Sequence, residues 1–530
     1  MSDVASVSGA SVKFVYKKRA PVIIANRGEI AIRIARTAKM LGFPTVAVYS
    51  DADRFSEHVK FCDHAEYIGE SEPKSSYLLA EKIIAAAKKF GAKYVHPGYG
   101  FLSERPHFVE ACEKAGLIFV GPSADSMRVM GDKIEARSTV HRLNVPGVPG
   151  SPGAVKDAAE ALEFAKKVKF PVLLKATAGG GGKGMRRVDS ESELVSAFES
   201  ASREALSAFG DGAMYVEKYI LEPHHVEIQV FGDGKGKAIH FGERECSIQR
   251  RHQKVWEESP SPILETHAAT RAKMFECAVR VASSINYAGA GTFEFIVDGA
   301  GDFYFLEMNT RLQVEHPVTE WVTGLDLVAW QLLLAAGELT LPPQSEIHTS
   351  GASVEVRVYA EDPQNFLPAP GKIGKIVQPN GPFLRWDSSY EAGSGTGAEV
   401  SLFYDPMIAK LSVWGRDRAE AVARMRVALD ELSIEAPKNS KQEAKGSLKT
   451  NVVFLQKLSR CKDVIEGNTT TDLIPRNPDL TADEMISASG VSDEVAIAAA
   501  LLRLTEGSEE ASVASDGSPR GWNASAWRNS

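Results

Sequence analysis

Short apolar runs alternate with segments of helical period along the first quarter of the chain. Val22–Ala25 is one such run, stopped by Asn26-Arg27-Gly28. Ile30, Ile34 and Ala38 then recur at helical spacing, and Gly42 marks the end of that segment. "TVAVYSD" (45–51), "KYVHPG" and "LIFVGPS" read as further strands, and "YLLAEKIIAAAKKFG" as another helix. This alternation predicts a parallel α/β domain over residues 20–135. No GxGxxG follows the first strand, so the dinucleotide-binding signature is absent. The Pro/Gly stretch "VPGVPGSPG" (145–153) reads as a hinge into a small subdomain over 136–220. Strand-rich sequence dominates the larger region 221–465, with "HVEIQVFG", "KAIHFGERE", "GTFEFIVD" and "DFYFLEMN" as strands and "RAEAVARMRVALDEL" as an amphipathic helix. "EAPKNSKQEAKGS" (435–447) and the Ser/Gly-rich tail from 507 are polar enough to be expected as loop and flexible segment.

The stretch "FYFLEMNTRLQVEHPVTE" (303–320) breaks this regular picture. Glu307, Asn309, Arg311, Gln313 and Glu315 occupy every second position, which in a continuing strand puts them on one face. "GTFEFIVDGAGDFYFLEMN" reads as a hairpin turning near Ala300, so Glu294 falls close to Glu307 within one register step. Opposed carboxylates repel unless a cation joins them. Glu294 and Glu307 with the amide oxygen of Asn309 form a hard-ion ligand set, suited to Mg2+ or Mn2+. An ordinary exposed ribbon fits poorly, because Phe293, Phe295, Phe303, Tyr304 and Phe305 surround these acids.

"KATAGGGGKGM" (175–185) follows an apolar strand. Four successive glycines are costly in chain entropy and make sense where backbone N–H groups must approach a ligand closely. The flanking lysines suit phosphate. The loop lacks Walker A spacing, and its strand-like flank argues against a simple linker. Arg311 is the residue type that grips a planar oxyanion, and Glu315 beside it could serve as a general base. "GERECSIQRRHQKVWEESP" (242–260), taken alone, reads as a solvated charged loop. "HHVEIQVFGD" places His225, Glu227 and Gln229 on one strand face, where a single His is more often structural than a ligand.

Composition narrows the partners. The net charge is −8 with both signs interspersed, so neither a nucleic-acid nor a membrane footprint is implied. Five scattered cysteines without CxxC spacing argue against a zinc site and for a reducing compartment.

Eight motifs then stand in a recognisable order: "ANRGEIAIRI", "HPGYGFLSE", "MGDKIEAR", "KATAGGGGKGM", "HHVEIQVFGD", "CSIQRRHQKVWEESP", "FLEMNTRLQVEHPVTE" and "RVYAEDP". Over about residues 20–465 the chain resembles biotin carboxylase, an ATP-grasp family. The resemblance implies an α/β architecture: an N-terminal parallel domain, a mobile glycine-rich lid and a C-terminal α+β domain. It implies ATP, Mg2+ or Mn2+, bicarbonate and biotin as cofactors and substrates, with biotin carboxylated through carboxyphosphate.

By the same resemblance Lys133 and Lys175 contact ATP phosphates beneath the Gly180–Gly181 loop. Glu217 and Ile220 frame the adenine, His225 lies on the ribose side, and Gln249 and His252 line the nucleotide site. Lys254, Arg311, Gln313 and the Val314 backbone hold bicarbonate, while Glu294, Glu307 and Asn309 hold metal. Glu315 is the base, and Arg357 stabilises the biotin enolate oxygen.

"SLFYDPMIAKLSVWG" and "TNVVFLQKLSRCKDVIEGNTTTDLIP" look most like α subunits of 3-methylcrotonoyl-CoA carboxylase, with the propionyl-CoA enzyme as near rival. No Ala-Met-Lys-Met site is present. "TAKM" and "RAKM" hold only half of it, which leaves Lys39 and Lys273 as expected helix-surface residues. A biotin carrier domain is therefore expected in trans or in a longer form, residues 466–530 as the opening of a bridging region, and a carboxyltransferase β subunit and a second copy of the chain as partners. The expected compartment is the mitochondrial matrix in a eukaryote and otherwise the cytoplasm; the N-terminus resembles a transit peptide only weakly. Other ATP-grasp ligases lack "QVEHPVTE" together with "RRHQKV". A non-catalytic assembly subunit is the alternative from a different class.

Overall fold

The computed structural model describes residues 16–177, 185–251, 253–391, 393–394, 398–437 and 448–482. The 438–447 portion of the polar segment at 435–447 and the tail from 507 lie outside the described residues.

The N-terminal pattern folds as its periodicity requires. Strands β1 (Val22–Ile24), β2 (Thr45–Ser50), β3 (His64–Gly69), β4 (Tyr94–His96) and β5 (Ile118–Phe119) form a parallel sheet in the order β3-β2-β1-β4-β5. The helix Gly28–Met40 buries Ile30, Ile34 and Ala38. It stops where Gly42 takes φ +81°, and a Cβ there would meet the Lys17 carbonyl oxygen at 2.2 Å, so only glycine fits. β3, "HAEYIG", escaped the sequence reading because it is half polar, with its first four residues partly or wholly exposed.

A small antiparallel sheet follows: β6 (Val172–Ala176), β7 (Met185–Val188) and β8 (Met214–Lys218), in the order β7-β6-β8. The helices Ala158–Val168 and Glu191–Phe209 supply the other half of its own apolar core. The Pro/Gly stretch leading into it is stitched at both ends. Phe305 N–H donates to the Pro146 carbonyl at 2.7 Å, and Lys218 N–H donates to that of Pro149 at 2.7 Å.

The remainder is built on a large antiparallel sheet. It contains β9 (His224–Asp233), β10 (Ala238–Arg250), β11 (Gln253–Ser259), β12 (Ala288–Val297), β13 (Phe303–Asn309) and β14 (Ala352–Tyr359). Two small-sheet strands, β15 (Lys375–Val377) and β17 (Gly393–Ser394), alternate in sequence with β16 (Leu384–Ser388) and β18 (Met407–Gly415), and β19 (Ser433–Glu435) closes the small sheet. The large sheet runs β13-β12-β9-β10-β11-β14-β18-β16 and the small one β17-β15-β19. The expected hairpin is present, with Glu294 directly opposite Glu307 and a register shift just after Glu294. "GERECSIQRRHQKVWEESP" is not a solvated loop. It supplies most of the antiparallel pair β10 and β11, and Glu243, Arg244, Glu245, Arg250, Glu257 and Glu258 are all buried. A lone charge run is normally solvated; here opposite charges on neighbouring strands let it be buried.

One core joins the parallel sheet to the large one. Val22, Ile24 and Ile34 from the first share a cluster with Phe231, Phe241 and Trp330 from the second. Trp330, on the buried helix Leu327–Ala335, meets Phe231 and Phe241 edge-on at 5.5 and 5.2 Å between ring centres. Such pairs add to what area burial alone provides. Trp330→Ala is expected to cost about 3–5 kcal/mol, read as a lower urea midpoint at unchanged slope. A shift within the noise of a surface substitution would show that this core does not join the two sheets.

Candidate active site

The chemistry gathers on one face of the large sheet, where the register aligns a row of charges. Arg244 (β10) pairs with Glu227 (β9), Glu227 with Glu294 (β12), and Glu294 with Glu307 (β13). Three carboxylates in one cross-strand row repel, so cations must fill the space between them. Lys254 Nζ donates to Glu227 at 2.5 Å, Glu315 at 2.7 Å and Glu294 at 3.1 Å. Its own burial opposes its charge, but these carboxylates outweigh that and hold the ammonium well above its usual range. His225 Nε2 lies 2.8 Å from Glu294 Oε2. Burial works against both of these groups too, yet the imidazole is raised and the carboxyl is held well below its ordinary value, a charged pair. Asn309 and Gln313 donate amide hydrogens to Glu294 Oε1 at 2.7 and 2.9 Å.

Glu315 is the centre of this arrangement. It is almost fully buried, and besides Lys254 it accepts from Arg357 Nη2 at 3.0 Å. Desolvation favours its neutral form, but Lys254, Arg357 and Arg244 prevail and hold it well below the carboxylate range. Arg357 in turn donates Nε to Glu257 at 2.6 Å. Beside Arg357 across the strands stands Lys410, whose ammonium donates to the Val314 carbonyl at 2.6 Å. Two adjacent cations thus fix the side chain of residue 315 and the backbone just before it. The Val314 carbonyl is taken, so its N–H would have to serve any anion.

The alternation expected to run to Glu315 as a strand ends at Asn309. The Thr310 N–H is drawn aside by Glu104 Oε1 at 3.1 Å, and the helix His316–Thr323 begins with Pro317 in its first turn. Arg311, Gln313 and Glu315 converge because a turn folds them back over the sheet. Arg311 is bound by Glu104 at 2.9 Å and by Asn309 Oδ1 at 2.9 Å, so an incoming anion would compete with both. Glu307 is exposed, whereas Glu294 and Asn309 are buried. The Glu294 oxygens already face Lys254, Gln313 and His225 and Asn309 Oδ1 accepts from Arg311, so a divalent cation held by these three residues would have to displace those partners.

A second cluster lies on the small sheet. Lys175 and Arg137 both bind the buried carboxylate of Glu217, Arg137 at 2.5 Å. Ile220 is buried just beyond β8, and Gln249 Nε2 is 3.3 Å from His225 Nδ1. Gly180, Gly181 and His252 lie outside the described residues, as does the side chain of Lys133. Lys39 and Lys273 sit on helices, half-exposed and exposed.

Several of these residues were assigned no part by sequence reasoning: Glu104, Arg244, Glu257 and Lys410. Arg244 had a visible signal, a charged position within a β-rich run. It is fully buried, binds Glu227, and donates to Gln229, Thr319, Thr292 and Gln313 at 2.6, 2.9, 3.1 and 3.0 Å. Glu104 sits in the loop after β4, at the carboxyl edge of the parallel sheet where ligands of α/β folds bind.

Known proteins match the chain along most of its length. Residues 18–127 match the biotin carboxylase N-terminal domain and 355–476 its C-terminal domain. Residues 132–342 match the ATP-binding domain of the carbamoyl-phosphate synthase L chain. The chain is 46% identical over 454 residues to the biotin carboxylase of Nostoc sp., covering 86% of this chain and 98% of that one. It is 47% identical over 481 residues to the mitochondrial methylcrotonoyl-CoA carboxylase subunit alpha of Mus musculus, covering 91% of this chain and 64% of that subunit. The chain thus spans under two thirds of the mouse subunit's length. The biotin carboxylase domain dimer of Hydrogenobacter thermophilus 2-oxoglutarate carboxylase, solved with MgADP, ADP and bicarbonate, superposes with a TM-score of 0.77. That match is at 43% identity and covers 88% of this chain and 100% of that one.

Fold and site together define an ATP-grasp ligase. The chain belongs to the biotin carboxylase family.

Removing Arg244 leaves Glu227 buried with one cation fewer. Arg244→Met is expected to cost about 3–5 kcal/mol, and adding Glu227→Gln should recover part of the loss. Chemical denaturation of the single and double variants measures this; no recovery in the double variant would show that the ion pair is not what Arg244 supplies.

Proposed function

We propose that this chain performs the first half-reaction of an acyl-CoA carboxylase, using bicarbonate and ATP to carboxylate the N1 of biotin. The observation that carries this reading is the fully buried Glu315 held ionised between Lys254 and Arg357. The related Hydrogenobacter domain, solved with MgADP and bicarbonate, supports ATP, Mg2+ and bicarbonate as this chain's ligands. Glu294, Glu307 and Asn309 would hold Mg2+ or Mn2+. The bound ion would neutralise ATP phosphate charge.

In this reading bicarbonate enters among Lys254, Arg311, Gln313 and the Val314 N–H. It displaces part of the Lys254–Glu315 contact and presents its proton to Glu315. Taking that proton raises the nucleophilicity of a bicarbonate oxygen, which attacks the γ-phosphorus while ADP leaves, forming carboxyphosphate. Carboxyphosphate breaks its carbon–oxygen bond to CO2 and phosphate. The released phosphate accepts the N1 hydrogen of biotin directly, or it takes the proton from Glu315, whose carboxylate then accepts the N1 hydrogen. Arg357 stabilises the enolate oxygen that forms, and N1 attacks CO2 to give N1-carboxybiotin. Charge stabilisation by a preorganised cation in a dry site is worth far more than in water. Lys175, Lys133 and the Gly180–Gly181 loop are assigned to ATP phosphates, and Glu217, Ile220, His225, Gln249 and His252 to the nucleoside side. The domain divisions 20–135, 136–220, 221–465 and 466–530 belong to the same reading.

The acyl-CoA specificity proposed is methylcrotonoyl, in leucine breakdown, supported by the mouse relative and the C-terminal stretches. Stand-alone biotin carboxylases match at nearly the same identity, so the partner carboxyltransferase has to decide this assignment. A biotin carrier domain, a carboxyltransferase β subunit and a second copy of the chain are the proposed partners, and the mitochondrial matrix the proposed compartment in a eukaryote.

Free biotin should stimulate bicarbonate-dependent ADP release from ATP and Mg2+. Glu315→Gln should lower that rate by about 10²-fold or more while ATP binding persists. If ATP binds but neither biotin nor Glu315→Gln changes ADP release, a non-catalytic assembly role becomes the better reading.

A further inference from the structure

Next to Arg357, two glutamates face each other across neighbouring strands. Glu257 on β11 is the register partner of Glu355 on β14, and both are fully buried. Directly opposed residues on an antiparallel pair point to the same face with their Cβ atoms about 5 Å apart. Glu257 Oε1 anchors Arg357 Nε, but Glu257 Oε2 and both oxygens of Glu355 have no hydrogen-bond partner among the described residues.

Lys410 and Arg357 are the cations whose fields reach Glu355, and neither donates a hydrogen bond to it among the described residues. Arg357 is divided between Glu257 and Glu315. Lys410 on β18 is committed to the Val314 carbonyl, with Glu29 from the helix Gly28–Met40 3.8 Å away. Asp387 on β16 is bound by Arg385 at 2.7 Å, and Arg385 also binds Glu320, on the helix His316–Thr323 that packs over β14. His316 on that helix is buried and held well below its usual value by burial, with Lys410, Arg33 and Arg385 adding to the shift, so it brings no positive charge. Lys254, nearer the site on β11, is spent on Glu227, Glu294 and Glu315. Burial and the mutual repulsion of two opposed carboxylates disfavour a second negative charge here, and Arg357 and Lys410 offset that only in part.

We propose that Glu257 and Glu355 act as a buried carboxyl pair holding one proton. The pair would serve as a positioning device that anchors Arg357 with a single negative charge and leaves the rest of its positive charge directed at the substrate. This rests on the reading of Arg357 as the group that meets the biotin enolate. Burial lifts Glu257 to about 7, against the pull of Arg357, and lifts Glu355 well above the carboxylate range. The sign follows. Loss of the pair's proton at alkaline pH puts a second carboxylate beside Arg357, draws its field toward the pair and slows the biotin-dependent step.

The test is the ratio of biotin-stimulated to biotin-independent ADP release as a function of pH, each protein normalised to its own maximum. Wild type should lose the ratio on the alkaline side. Glu355→Gln, which cannot ionise, should move that alkaline limb up by about one pH unit or more. Glu257→Gln should instead lower the biotin-stimulated rate about tenfold or more at every pH, with the KM for ATP unchanged. Glu355→Met replaces the Gln variant if that one does not fold. An alkaline limb in the Glu355 variant that coincides with the wild type overturns the proposal. So does an infrared spectrum in which the folded Glu355 variant lacks no protonated-carboxyl band relative to wild type at neutral pH. Failure of the functional reading looks different: wild type itself would show no stimulation by biotin, and the infrared comparison would still decide the protonation of the pair.

Discussion

The burial of one lysine among three carboxylates sets the terms for everything around it. Removing ions from water costs several kcal/mol each even after relaxation, so Lys254 sits among Glu227, Glu294 and Glu315 because the sheet holds three of these groups and the clamped turn holds Glu315. The surplus negative charge is met by Arg244, His225 and Arg357. The result is a lattice of charges in which no member moves alone. That suits a site which must accept an anion and a proton in succession.

The fold makes such a lattice possible. Cross-strand register in the large sheet sets the spacing between Arg244, Glu227, Glu294 and Glu307. The turn after Asn309 lays Gln313 and Glu315 back over this row, and Lys410 and Arg357 clamp the turn from adjacent strands. The parallel domain contributes Glu104 from the loop after β4, and the shared core around Trp330 holds that domain against the large sheet. A base placed by packed strands on one side and a clamped turn on the other needs little reorganisation when charge develops.

Local features were legible without coordinates wherever chemistry and periodicity coincide within a few residues. Helical spacing from Ile30 to Ala38 and the hairpin between Glu294 and Glu307 follow from nearest-neighbour geometry, whereas Arg311, Gln313 and Glu315 come together through a turn and not the continuing strand that their alternation predicts. The half-exposed strand His64–Gly69 did not, because polar residues on both faces mask a period of two. Residues 242–260 were misread for a related reason. A run of charges looks solvated until the partners that neutralise it are known, and Arg418, which binds Glu258 at 2.6 Å, is 160 residues away.

The sequence by itself determined the order of strands and helices, the motifs that mark an ATP-grasp carboxylase, and the residue types available for base, cation and metal ligand. These are encoded by periodicity and by short spacing along the chain. Only the tertiary structure decided which charges face one another: that Arg244 compensates Glu227, that Glu104 holds Arg311, and that Glu355 lies opposite Glu257. Ionisation and reactivity depend on distance and burial, and both arise from register and packing between segments far apart in the chain.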